Sequence, residues 1–208
     1  MAYSDFSSLE LKRRFGIRFR AESLFSEPRE IQPSAWLQET LRLGQELGFN
    51  SEKSRSERLV TPLLLELSNL NQHRFAIYSG MNLDVDELNG LKGECDFIFS
   101  FSRIQDFVTA PIFCITEAKK QDLEHGTVQC AAQLLGARRL NEAEQNAIPV
   151  IYGCSTTGIE WRFLKLVGQE IIIDEARLTL AELPRLLGIL QAVIDAAGAT
   201  LPSAECPA

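Results

Sequence analysis

An unbroken apolar run near the middle of the chain constrains the fold most strongly. After Pro111 the sequence reads IFCIT over residues 112–116. A strand that is apolar at successive positions, rather than at alternate ones, is typical of the interior of a sheet covered on both faces. The run therefore predicts a central strand, and the rest of the chain has to supply the strands and helices around it.

The hydrophobic periodicity along the chain predicts helices and strands in a mixed order. Helical spacing predicts helices over residues 34–47, from 54 or 56 to 69, 126–146 and 180–197, with Pro62 near a first turn or at a kink. Short apolar or alternating segments predict strands over residues 15–19, 75–78, 95–101, 112–116, 150–153, 159–166 and 171–173, with 159–166 as an outer strand. This order predicts an α/β (α+β) fold with a mixed central sheet flanked by helices. Residues 1–50 are expected to pack a strand and a helix on a core formed by residues 51–208, in one compact unit.

Composition restricts the class of protein. Hydrophobic residues make up 45% of the 208 residues and charged residues 24%, the usual balance of a globular domain. The opening residues lack the layout of a signal peptide and no apolar run reaches transmembrane length, so a cytoplasmic protein without membrane contact is expected. Trp36 and Trp161 are expected in the core, and the five cysteines, which form no C-x-x-C pair, are interpreted as structural thiols.

Histidine and net charge narrow the chemistry further. With only His73 and His125 in the chain, a zinc site of the usual kind is nearly excluded, and His125 is best interpreted as a polar residue near a helix start. The net charge of −7 argues against a broadly basic surface that coats nucleic acid. A local basic groove stays open, because residues 12–20 and the pair Arg138 and Arg139 are basic, although a solvated charged face explains each of them more simply.

Three charged residues flank the predicted central strands. Asp96 stands near the start of one strand, and Glu117 and Lys119 stand at the end of the next. Side chains two apart in an extended segment share a face, so Glu117 and Lys119 point the same way. If the two strands form a hairpin, Asp96 lies beside Glu117. Two carboxylates are the oxygen ligands that Mg²⁺ or Mn²⁺ prefers, and a neighbouring lysine can orient or deprotonate an attacking water.

The order Asp96, then Glu117-Ala118-Lys119 at the end of an apolar strand, resembles the PD-(D/E)XK nuclease superfamily, whose members have a restriction endonuclease-like core. Glu94-Cys95 precede Asp96, which departs from the proline-aspartate half of the motif. Other phrases of the chain resemble bacterial, especially cyanobacterial, members of the superfamily: SEKSRSERLVTPLLLEL, ITEAKK, GTVQCAAQLLGAR and VIYGCSTTGIEWRFLKL. The resemblance covers about Ser51 to Leu166.

The resemblance implies a Mg²⁺- or Mn²⁺-dependent nuclease that acts on nucleic acid, expected to be DNA. It implies that Asp96, Glu117 and the carbonyl of Ala118 ligate the metal and that Lys119 positions the water. Further support for the metal or the lysine would come from Glu57 on the preceding helix and from Gln133, one turn from Gln129. A homodimer stays open, because enzymes that cut both strands often pair.

Alternatives remain beside this interpretation. Glu57 competes with Glu66, and the two are nine residues apart, so both cannot face one site on a regular helix. Glu66 would then be a surface residue or a partner of Lys53 or Arg58. Glu117 and Lys119 have a simpler explanation as a solvent-exposed pair at a strand end. The whole domain also has an alternative interpretation as a non-catalytic nucleic-acid-binding or assembly module of the same fold.

Overall fold

The protein, described by a computed structural model over residues 1–119, 122–146 and 148–201, is built on a mixed eight-stranded sheet. The strands are β1 (Arg18–Glu22), β2 (Ala76–Asn82), β3 (Glu94–Ser100), β4 (Ile112–Ala118), β5 (Val150–Thr156), β6 (Glu160–Val167), β7 (Glu170–Asp174) and β8 (Leu178–Thr179). Their order in the sheet is β1-β7-β6-β5-β4-β3-β2, and β8 pairs with β6. The helices are α1 (Ser8–Phe15), α2 (Ala35–Leu47), α3 (Glu52–Arg55), α4 (Thr61–Leu70), α5 (Leu123–Ala143) and α6 (Leu183–Gly198).

Two hydrophobic clusters lie on the two faces of the sheet. On one face α2, α4 and α6 pack against a set of phenylalanines that includes Phe99 and Phe113. On the other face α1 and α5 pack against Ile98, Ile115 and their neighbours. The predicted α/β architecture, a mixed sheet flanked by helices, is confirmed.

The apolar run at residues 112–116 forms the interior strand that it predicts. Every residue of β4 is buried. The strand pairs antiparallel with β3 on one side and parallel with β5 on the other. Because helices cover both faces, no position of β4 alternates toward solvent, which explains the continuous apolar pattern.

Two strand predictions were wrong in detail. Residue Phe15 ends helix α1, and the N-terminal strand begins only at Arg18, where β1 joins the sheet parallel to β7. The predicted outer strand at residues 159–166 is the interior strand β6, which lies between β5 and β7. Its polar side chains Arg162 and Lys165 are partly buried, while the apolar residues between them are buried.

The helix that precedes β2 is continuous from Glu52 to Leu70 but contains a wider turn. Residues Ser56–Val60 form a π-helical segment between α3 and α4, and the Thr61 N–H donates to the carbonyl of Ser56, five residues back. Pro62 has no N–H to offer the carbonyl of Arg58, which removes one regular helical bond at this place. Helix α2 crosses there through Gly44, where a Cβ would come within 2.7 Å of the Arg58 carbonyl oxygen.

Several smaller predictions can be compared directly with the structure. Trp161 is fully buried, as predicted, but Trp36 is 49% exposed on the outer side of α2, so its assignment to the core was wrong. The long helix predicted over residues 126–146 is α5, which begins earlier, with Asp122 as its N-cap, and ends at Ala143. No helix among the described residues is long and apolar enough to cross a membrane.

Candidate functional site

The hairpin of β3 and β4 places Asp96 beside Glu117. The register pairs Phe97 with Thr116, so the next position outward pairs Asp96 with Glu117. Here a side chain, and not the backbone of β3, accepts a hydrogen bond from β4: Asp96 Oδ2 accepts the N–H of Ala118 at 2.7 Å. The predicted proximity of the two carboxylates is therefore what the strand pairing produces.

The Glu117 side chain is buried, and both of its carboxylate oxygens have partners. It is only 2% exposed, although it lies at the end of a strand. Its Oε1 accepts from Gln129 Nε2 at 2.5 Å and lies 2.8 Å from Lys119 Nζ. Its Oε2 accepts from Gln133 Nε2 at 2.7 Å. The interpretation of Glu117 and Lys119 as a solvent-exposed pair is wrong, because the carboxylate lies beneath α5.

The glutamines come from one face of α5, which approaches the sheet very closely. Gly126 makes this possible: a Cβ there would lie 2.4 Å from Ser155 Oγ and 2.8 Å from Lys119 Cγ. The steps from Gly126 to Gln129 and on to Gln133 are of three and four residues, so all three lie on the same helical face. The helix begins at Asp122, whose carboxylate accepts the N–H of His125, and His125 itself is exposed. The sequence analysis missed the role of Gly126, because the helix was predicted to begin at this residue, whereas α5 begins at Leu123 and holds the glycine inside its first turns.

Burial and like charge raise the pKa of both carboxyl groups. Burial, and next the charge of Asp96, raise the pKa of Glu117 from 4.5 to about 7, against the opposing effect of Lys119. Burial also raises the pKa of Asp96, although the Ala118 N–H and Lys119 oppose it. For Lys119 burial acts to lower the pKa, but Glu117 and then Glu52 and Asp96 outweigh it, so the net direction is upward. Among the described residues, the carboxylates of the site thus outnumber the one ammonium, Lys119, that contacts Glu117.

Two acidic side chains on the helical segment before β2, Glu57 and Glu52, lie near Asp96. Glu57 is exposed, 3.9 Å from Lys53, and it borders an open cleft of about 430 Å³ that Asp96 also lines. Glu52, one turn earlier, lines the same cleft, and its charge acts on both Asp96 and Lys119. Glu52 is the acid that the sequence prediction missed.

Glu66 is neither a surface residue nor a partner of Lys53 or Arg58. It is buried, with 5% exposure, and accepts the N–H of Ser34 at 2.8 Å and the Ser34 hydroxyl at 2.9 Å. Ser34 is the N-cap of α2, so this carboxylate joins α4 to the start of α2. Of Glu57 and Glu66, it is therefore Glu66 that makes a structural contact away from Asp96.

Oxygen donors dominate the site, which suits a hard divalent cation such as Mg²⁺. The amide nitrogens of Gln129 and Gln133 are used on Glu117, and within the described chain their Oε1 atoms are buried without a hydrogen-bond partner. Ala118, whose carbonyl was predicted as a third ligand, is buried, with its N–H on Asp96. Over residues 1–119, 122–146 and 148–201, no group of three or more His, Cys, Asp or Glu side chains is close enough to hold a metal ion. The donor set is therefore a pair of carboxylates, with Glu52 nearby.

Neither a protein-family model nor a curated protein matches the sequence.

Proposed function

We propose that the chain is a metal-dependent phosphodiesterase that hydrolyses DNA, of the PD-(D/E)XK type and acting in the cytoplasm. One observation carries the proposal: Asp96 and Glu117 are held side by side with Lys119 on Glu117, burial raises the pKa of both carboxyls, and the charge of Asp96 raises the pKa of Glu117 further. Such a pair gains most from a bound cation, because the cation offsets the repulsion. The proposed cofactor is Mg²⁺ or Mn²⁺.

Each residue of the site has a proposed role. Asp96 and Glu117 would hold the cation through one oxygen each, and the Ala118 carbonyl is kept as a further proposed ligand. A bound divalent cation would lower the pKa of a coordinated water and offset charge on the phosphate. Lys119 would hold the attacking water at the same edge of the sheet. Gln129 and Gln133 orient Glu117 by donating to its two oxygens.

A cleavage assay with single- and double-stranded DNA in Mg²⁺ or Mn²⁺ tests the proposal. We expect Lys119→Ala to lower the rate about 10²- to 10⁴-fold, the usual contribution of a positioned acid–base group. Lys12→Ala is the matched control, because Lys12 is exposed on α1 and does not line the cleft that Asp96 lines. Cleavage by Lys119→Ala at the wild-type rate would overturn the assignment of the site.

A second function, a non-catalytic nucleic-acid-binding or assembly module, is favoured by a different observation. Glu117 is already paired with Lys119, and Asp96 already accepts the Ala118 N–H, so both carboxylates have partners within the protein. The melting temperature distinguishes the two functions. A ligand that binds only the folded state stabilises it in proportion to the logarithm of its concentration, so a cation site gives a rising melting temperature in millimolar Mg²⁺ or Mn²⁺. An unchanged melting temperature supports the binding module.

A further inference from the structure

A groove runs along the edge strand β2 toward Asp96. Three open clefts of about 690, 420 and 430 Å³ follow one another along this strand. The first two share His73, Phe75, Ala76 and Gln105, and the second shares Ser79 with the third, which reaches Asp96. The opposite wall of the second and third clefts is the outer side of α4 and of the π-helical segment, through Glu57, Thr61 and Leu65. The three clefts therefore adjoin one another along β2, and together we call them the β2 groove.

The end of the β2 groove that lies far from Asp96 is basic. His73, Arg74 and Arg103 line it, and Arg103 is exposed. Arg74 is partly neutralised, because its guanidinium contacts Asp195 at 2.9 Å. At the other end Glu52, Glu57, Glu94 and Asp96 make the groove acidic.

Two structural features distinguish the basic end of the β2 groove. Gln72 and His73 both have positive φ angles, 53° and 56°, a conformation that side-chain-bearing residues adopt rarely and that clusters at functional sites. The loop that carries Arg103 is tied to β2 by the Tyr78 hydroxyl, which donates to the Ile104 carbonyl at 2.6 Å. The same loop presents Phe107, which is 56% exposed.

We propose that the β2 groove binds a single strand of nucleic acid and leads it to Asp96 and Glu117, an inference that rests on the proposed function. Phosphates would contact Arg103 and Arg74, and unpaired bases would find the exposed amides of Gln72 and Gln105. Arginines for phosphate contact and an exposed aromatic ring, here Phe107 on the loop that carries Arg103, are the side-chain types that single-strand sites use. The free edge of β2, the last strand in the described sheet order, adds backbone donors along the groove.

The opposite charges at the two ends of the groove determine which end attracts the phosphates of a strand first. The basic end attracts phosphate directly, whereas the acidic end repels it until a divalent cation offsets the carboxylates. A strand therefore enters at Arg103 and is held at Asp96 only when the cation is present. We expect Ca²⁺, a hard cation with the same preference for oxygen ligands, to strengthen binding of the strand.

Fluorescence anisotropy with a labelled twelve-nucleotide strand, first in EDTA and then with Ca²⁺, tests the proposal without any need for cleavage. Arg103→Gln is expected to weaken binding several-fold and to lower the slope of log affinity against log salt by about 0.7, the value for one phosphate contact on a single strand. Asp195→Asn is expected to strengthen binding, because it frees Arg74 from its competing carboxylate. Arg18→Gln is the matched control: Arg18 is exposed on β1, at the opposite end of the sheet, and the substitution is expected to change neither quantity.

The outcomes separate this inference from the proposed function. Binding that depends on Arg103 and Asp195 supports the groove even if no DNA is cleaved. Cleavage that proceeds while both variants bind the strand like the wild type overturns the groove and leaves the nuclease assignment intact. Absence of strand binding, together with elution of the chain as a dimer, also overturns the groove, because the free edge of β2 then pairs with a second copy.

Discussion

Two buried glutamates, at opposite sides of the same sheet, show how differently a carboxylate can be used. Glu66 joins α4 to the start of α2, and both of its oxygens accept from one neutral residue, Ser34. Glu117 lies under α5 between a second carboxylate, an ammonium and two amides. Burial is nearly the same at the two positions. The neighbours differ: Glu117 lies against another carboxylate and an ammonium, whereas both oxygens of Glu66 accept from Ser34.

The largest expected effect is on the pH dependence of folding in the absence of metal. The pKa of Glu117 is raised from 4.5 to about 7, so below pH 4.5 both the folded and the unfolded chains carry the proton and the residue costs nothing. As the pH rises toward 7 the unfolded chain releases the proton first, and the folded state loses about 3 kcal/mol, at about 1.4 kcal/mol per pH unit. The raised pKa of Asp96 acts in the same direction.

Urea unfolding in EDTA between pH 4.5 and 8 measures this effect. Glu117→Gln is expected to flatten most of the decline. Mg²⁺ or Mn²⁺ at pH 8 is expected to restore stability to the wild type and not to Glu117→Gln. Equal pH slopes in the wild type and Glu117→Gln would contradict the prediction that Glu117 causes the decline.

A smaller effect is expected on the structural side of the comparison. Ser34→Ala removes the N-cap hydroxyl of α2 and its hydrogen bond to Glu66, whereas the backbone N–H at this position keeps its bond to the other carboxylate oxygen. The free energy of unfolding should fall by about 1–2 kcal/mol, the usual cost of losing a capping side chain. Thermal unfolding measures it, and cleavage per folded molecule is the second measurement. A loss of cleavage equal to that of Lys119→Ala would mean that Glu66 belongs to the functional site after all.

The parts of the site that lie on regular strands were predictable from the sequence. The apolar run before Glu117 indicates an interior strand, and alternation along a strand puts Lys119 on the face of Glu117. The antiparallel pairing of β3 with β4, on which the sequence argument depended, brings Asp96 into place. The positions of Gln129 and Gln133 came from resemblance, and the reason for their close approach, Gly126, appears only when the helix is packed on Ser155.

The helix before β2 was harder to predict because its turns are not uniform. A regular helix rotates by a constant angle for each residue, and the expected direction of Glu57 relative to Glu66 depended on that rotation. The π-helical segment at Ser56–Val60 widens one turn and changes the phase of residues before it relative to those after it. Glu52, which lies before the segment, consequently acts on Asp96 and Lys119. Such a phase change depends on how Pro62 and the crossing at Gly44 are accommodated, and periodicity alone does not reveal it.

The smallest expected effect concerns Glu57, the acid that resemblance assigned to the site. Its side chain is 58% exposed and its contact with Lys53 is long, so Glu57→Gln should change the melting temperature by less than about 1 °C. Glu52→Gln is the matched comparison, because Glu52 lines the same cleft and its charge reaches Asp96 and Lys119. Calorimetric titration with Mn²⁺ should show a greater loss of affinity for Glu52→Gln than for Glu57→Gln. The reverse order would return Glu57 to the metal-binding role and make Glu52 a surface charge at the mouth of the cleft.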